Sequence, residues 1–222
     1  MSTDPYNWLR EYRFDNLNFD LIEDKKEQSK ELFCCNTTIL FWELCLKRVQ
    51  ELEDGYQYAK AHSQKVNMAL LERAAVETLA VALKQIINFE ELVNSMFEDD
   101  EKNNKYTEDT KKLFLGLRSF DKKERITSTN IFTYLEKINN YLKKFGEVNL
   151  LEMYEDLSNF CHPNLSGLAG NYYPKILKMT FKNTPETIQN PEYLTVVLLL
   201  LKHFDEKIQE CKGIVREFTP DS

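Results

Sequence analysis

Glycine and proline are scarce, with six of each among 222 residues. A chain so poor in both, and rich in Leu, Glu and Lys, reads as an all-α protein. Histidine is rarer still. The three residues at 62, 162 and 203 show no His-x-x-x-His or comparable ligand spacing, so neither a metal nor another cofactor is expected. Five cysteines (Cys34, Cys35, Cys45, Cys161 and Cys211) form no Cys-x-x-Cys pair and lie mostly among apolar helical residues. Their pattern points to free, buried thiols in a reducing cytosol. A glycine-rich phosphate loop, a Gly-x-Ser-x-Gly elbow and internal repeats are all missing, which sets aside the nucleotide-binding α/β folds and the common hydrolases. The longest apolar run, Leu194 to Leu201, is too short to span a bilayer, and the acidic start has no signal-peptide pattern. The expectation is a soluble cytoplasmic protein with no membrane partner. Positive charge is also in deficit: 29 basic against 36 acidic residues leave a net charge of −7. That argues against indiscriminate nucleic-acid binding, which needs a basic surface.

What is present is helical periodicity. The spacing predicts a mostly antiparallel helical bundle, with an acidic, aromatic arm over 1–30 and a single helical domain over 31–222. In the arm, a short helix is expected from Pro5 to Arg13. Tyr6, Trp8, Tyr12, Phe14 and Phe19 are too apolar to leave in solvent, so the arm should dock. A helix from Thr37 to His62, preceded by a shorter lead-in, carries Ile39, Trp42, Leu46, Val49, Leu52 and Tyr56 inward. Gly55 weakens it. Ser63 is placed to cap the next helix, Gln64 to Phe89. Glu98 to Thr107 reads as an exposed loop. Beyond it, Lys111, Lys112, Arg118, Lys122, Lys123 and Arg125 form the one basic stretch. Thr127 to Asn130 should cap a helix with Ile131, Leu135, Ile138, Leu142 and Phe145 inward, closed by Gly146. Between 170 and 190 no helical period survives, and a small irregular or β excursion is expected there. Asn190 and Pro191 open the last helix, which is apolar almost all round at first and so should be the most buried.

Two polar groupings interrupt these apolar patterns. On a helix over 147–161, Tyr154, Ser158 and then His162 fall at i, i+4 and i+8, along one edge of the apolar face. Pro163 stops the helix, and Gly167 and Gly170 follow in the loop. A phenol, a hydroxyl and an imidazole in line could serve acid–base chemistry or hold a phosphate. They could equally be a half-buried tyrosine, a serine bonded to the preceding turn and a histidine capping carbonyls. Arg73 and Glu77 sit one turn apart between Ala69 and Ala80. The pair is either an ordinary surface ion pair or a buried one, since small neighbours let a second helix approach. Each grouping would satisfy the other, with Glu77 touching His162 or Tyr154 and Arg73 free to meet an anion.

The combination of Arg-x-x-x-Glu (Arg73, Glu77) with Tyr-x-x-Leu-Ser-x-x-x-His-Pro (Tyr154, Leu157, Ser158, His162, Pro163) is similar to poorly characterised bacterial helical proteins that resemble the HEPN superfamily. That superfamily includes ribonuclease toxins and host-defence nucleases. The resemblance spans roughly 37–218. It implies a protein that binds or cleaves RNA or a nucleotide, in bacterial stress or defence, working as a homodimer. His162, Ser158 and Tyr154 would be catalytic, and Arg73, Glu77 and Asn164 would bind ligand. Nuclease members carry an arginine separated from the histidine by four to six residues; here those positions hold Glu155, Asp156 and Leu157, so a cation would have to come from elsewhere, with Arg73 as the candidate. The other class is a non-catalytic helical interaction or scaffold module with a protein partner, in which the same residues are structural.

If the thiols are free and buried, labelling should be slow in the native protein and should reach five groups on denaturation without reductant. Recovering fewer would reveal a disulfide.

Overall fold

A computed structural model describes residues 4–14, 30–94, 100–115, 131–146, 148–161 and 193–218. The described residues are 88% helical, in seven helices and no strand, which makes the protein an all-α helical bundle. The helices are α1 (Pro5–Arg10), α2 (Lys30–Ala61), α3 (Lys65–Val93), α4 (Asp100–Leu115), α5 (Ile131–Leu142), α6 (Leu150–Cys161) and α7 (Leu194–Phe218).

The bundle is built around α3. It packs against α2, α4, α5, α6 and α7, and Ala75, Val76, Leu79, Ala80 and Leu83 are fully buried. α7 was expected to hold this place and does not: Leu199 is 49% exposed, although Leu198 and Leu201 are inaccessible. An all-round apolar stretch shows that burial is possible, not that it occurs, since much of any protein's surface is apolar.

α2 is continuous through the expected lead-in and through Gly55. A Cβ at Gly55 would meet both Leu71 methyl carbons at 3.4 Å, so the glycine lets α2 sit close against Leu71 of α3. Ser63 does not cap α3. It takes a left-handed conformation (φ 54°) and ends α2 instead, with the Gln64 amide donating back to the Ala59 carbonyl at 2.8 Å. The N-cap position falls to Gln64, whose side chain makes no capping bond.

The expected loop at Glu98–Thr107 is, from Asp100 on, the start of α4. Asp100 and Glu101 suit the positive end of its dipole. Tyr106 and Thr110, one turn apart and both buried, anchor it to α3. Charge alone does not make a loop when one aromatic can bury itself.

α1 ends at Arg10, short of the expected Arg13, with Asp4 accepting from the Tyr6 amide at 3.0 Å and Pro5 at the first position. Tyr6, Trp8, Tyr12 and Phe14 pack on the core as a docked arm requires. In α5, Leu135, Ile138 and Leu142 face inward, but Phe145 lies past the helix end and is 48% exposed. Gly146 turns the chain at φ 147°. α6 then starts at Leu150. The Asn149 side chain accepts from the Glu152 amide and donates to the Glu152 carboxylate, both at 3.2 Å, while Asn139 on α5 accepts from the Leu150 amide at 2.8 Å.

His162, Asn164, Phe19, the 170–190 excursion, the capping stretches Thr127–Asn130 and Asn190–Pro191, and the side chains of Lys111–Arg125 lie outside the described residues. Among the described residues, no helix is long and apolar enough to cross a membrane.

Leu201 and Leu199 lie two positions apart on one helix with opposite burial. Leu201→Ala should cost about 2–5 kcal/mol, whereas Leu199→Ala should stay within about 0.5 kcal/mol, both read from urea unfolding. Equal costs would contradict this placement of α7.

Candidate functional site

Two of the predicted groupings meet where α3 crosses α6. The Arg73 Nη2 donates to the Tyr154 hydroxyl at 2.6 Å, and its Nε donates to Glu77 Oε1 at 3.3 Å. The guanidinium carbon stands 4.8 Å from the centroid of the Tyr154 ring. One arginine therefore bonds to a tyrosine's hydroxyl and also lies within cation–π distance of its ring. Phe132 closes the other side of Tyr154 edge-on, with ring centroids 5.3 Å apart.

The direct contact differs from the one expected. Arg73 reaches Tyr154, while Glu77 bonds only to Arg73 among the described residues. The arginine is longer and offers five donors, so it can serve the phenol and the carboxylate together, whereas a carboxylate can only accept. Burial works against the charged guanidinium, but the bonds to Tyr154 and Glu77 outweigh it, so Arg73 holds its proton more firmly than an ordinary arginine.

Ser158 is turned away from this pair. Its hydroxyl donates to the Tyr154 carbonyl one turn back, at 2.7 Å. Tyr154 itself is 3% exposed. His162 and Asn164 lie outside the described residues, so the i+8 member of the edge has no geometry here.

Several participants gave no sequence signal. Glu72, fully buried beside Arg73, accepts from the Leu194 amide at 3.1 Å and so caps α7 from α3. In the run Leu-Leu-Glu-Arg it looks like a surface residue. Tyr193 donates to Asp156 at 2.7 Å, tying the start of α7 to α6; burial, and then Asp156, push its phenol above the ordinary value. Cys161 belonged to the apolar face of α6, but it also feels these charges. Burial and Glu72 raise its thiol and Arg73 draws it down, with the balance upward. A half-buried thiol held protonated is a poor nucleophile.

Two more polar residues, Gln85 and Glu90, fix α3 further along. Gln85 donates to Tyr106 at 2.8 Å and to Thr110 at 3.2 Å on α4, and the Tyr106 hydroxyl donates to the Cys34 carbonyl on α2 at 3.1 Å. Glu90 accepts from Tyr141 at 3.0 and 2.8 Å and from Lys207. The Lys207 ammonium lies 5.6–5.8 Å from the centroids of Tyr141, Phe204 and Phe145. Among the described residues, no group of three or more His, Cys, Asp or Glu could hold a metal ion.

Comparison with protein-family models, with curated proteins and with solved structures found no match for the chain.

A double-mutant cycle of Arg73→Met and Tyr154→Phe, read as unfolding free energy, should show coupling of about 0.5–3 kcal/mol. Additive effects would mean that the contact carries no energy.

Proposed function

We propose that this protein is a helical interaction module in which the Arg73 cluster holds α6 on α3, rather than a catalytic apparatus. The observation that carries this reading is the commitment of the guanidinium: Nε and Nη2 serve Glu77 and Tyr154, and its carbon stands 4.8 Å from the Tyr154 ring centroid. The two described groups expected to do chemistry are committed as well, Tyr154 to Arg73 and Ser158 to a carbonyl of its own helix. The neighbouring carboxylates of Glu72 and Glu77 disfavour a polyphosphate. The partner is another protein chain, and the free thiols fit a cytoplasmic location.

A HEPN-like protein that binds or cleaves RNA or a nucleotide in bacterial stress or defence is the second reading. One feature favours it. The Arg73 side chain keeps 33% of its surface exposed, and the bonds it makes to described residues use Nε and Nη2 but not Nη1. A phosphate could take that remaining edge.

One pair of measurements separates the two. For the module, Arg73→Gln should lower the melting temperature by about 2–8 °C, and wild-type protein should hold a fluorescent single-stranded RNA no tighter than roughly 100 μM at physiological salt. Tight RNA binding or cleavage that is lost in Arg73→Gln at unchanged melting temperature would overturn the module reading.

A further inference from the structure

The N-terminal segment is held to the body by a set of contacts resembling those of a bound peptide. α1 has six residues, too few to be a stable helix in isolation, so its conformation comes from docking. It packs on α7 and α2, and its single fully buried side chain is Leu9. Around that anchor, the Tyr6 hydroxyl pairs with Thr195 at 2.9 Å, and Gln50 donates to the Leu9 carbonyl at 2.7 Å. Arg10 donates to Glu53 at 2.7 Å, and Tyr12 donates to Asp205 at 3.2 Å.

The two acids behave differently. Asp205 also accepts from Trp42 at 2.9 Å and from Gln209 at 3.1 Å, so it is satisfied whether or not Tyr12 is present. Glu53 is 2% exposed, and among the described residues its one cationic partner is Arg10. A carboxylate so deeply buried needs a positive charge from whatever covers it. The groove therefore specifies its occupant: a short helix and the residues just after it, with an aromatic, a leucine, an arginine and a second aromatic at i, i+3, i+4 and i+6, as in Tyr6, Leu9, Arg10 and Tyr12. The Arg10 side chain is itself 53% exposed, so the cation sits at the rim of the groove, where an incoming segment can replace it.

We infer that the groove between α2 and α7 is a recognition site for a partner peptide of this aromatic–leucine–arginine–aromatic kind, and that residues 4–14 occupy it in cis as a pseudo-ligand. The inference extends the interaction-module reading but uses none of the Arg73 contacts, so the Arg73 measurements can fail without touching it.

The test uses the full chain and a fluorescent synthetic peptide of residues Asp4 to Phe14, read by anisotropy. Leu9→Asp and Arg10→Glu, made separately in the full chain, weaken the cis segment and leave the groove intact. The peptide should bind both variants roughly tenfold or more tighter than wild type, because an occupied groove lowers apparent affinity by the fraction that is free. The same peptide carrying Arg10→Ala should lose roughly tenfold or more on the Leu9→Asp chain, and so should the unaltered peptide on a Leu9→Asp, Glu53→Gln chain. Equal binding to wild type and both variants would overturn the inference. So would loss of the helical circular dichroism of the whole body in both variants, since the segment would then be a structural part and not an exchangeable occupant.

Discussion

Buried polar groups need partners, and α3, which packs against five other helices, carries several such groups. Several of its polar residues meet that need by bonding to a neighbouring helix. Glu72 caps α7, Arg73 takes Tyr154 on α6, Gln85 takes Tyr106 and Thr110 on α4, and Glu90 takes Tyr141 on α5 and Lys207 on α7. Lys84 adds Asp109 of α4 at 3.7 Å; burial lowers its pKa, and that carboxylate draws it back up. Apolar packing supplies the drive to bring these helices together but is not directional. The polar contacts set the order and register in which they surround α3.

That arrangement explains which parts of the fold the sequence made legible. The 3.6-residue stripes of α3, α5 and α6 are direct records of burial on one face, and their inward residues follow from spacing. α4 was not legible because its helix rests on Tyr106 and Thr110, two anchors among charges, while Glu98 to Lys105 contains no apolar residue to show a stripe. The exposure of Leu199 was not legible either, because periodicity fails once a stretch is apolar all round. Ser63 is a residue type that caps helix starts, but the tight reversal between α2 and α3 needed a left-handed position, and the chain placed the serine there.

At the candidate site, sequence could mark Arg73 and Tyr154 as polar groups among small or apolar neighbours, which is why they stand out. It could not say which of Arg73 and Glu77 would reach across, because that depends on side-chain length and the separation of two helices. Glu72 was hidden for a related reason: a glutamate next to an arginine on a helix looks like an ordinary surface pair, and its burial depends on where the start of α7 lands. A guanidinium whose Nε and Nη2 are already engaged is a poor place to gather phosphate, because any anion must compete with Glu77. It is a good place to lock two helices, because breaking one partner strands the other in a partly desolvated setting.

The structural role of Arg73 is tested most directly by the nitrogen-15 spectrum of its side chain in the intact protein. A guanidinium held by Tyr154 and Glu77 should give Nε and Nη signals with hindered rotation and slow solvent exchange. Those signals should collapse in Tyr154→Phe and stay in place when single-stranded RNA or ATP is added. A freely rotating, averaged Arg73 signal in the wild type, or one that shifts on titration with RNA or ATP, would contradict the account.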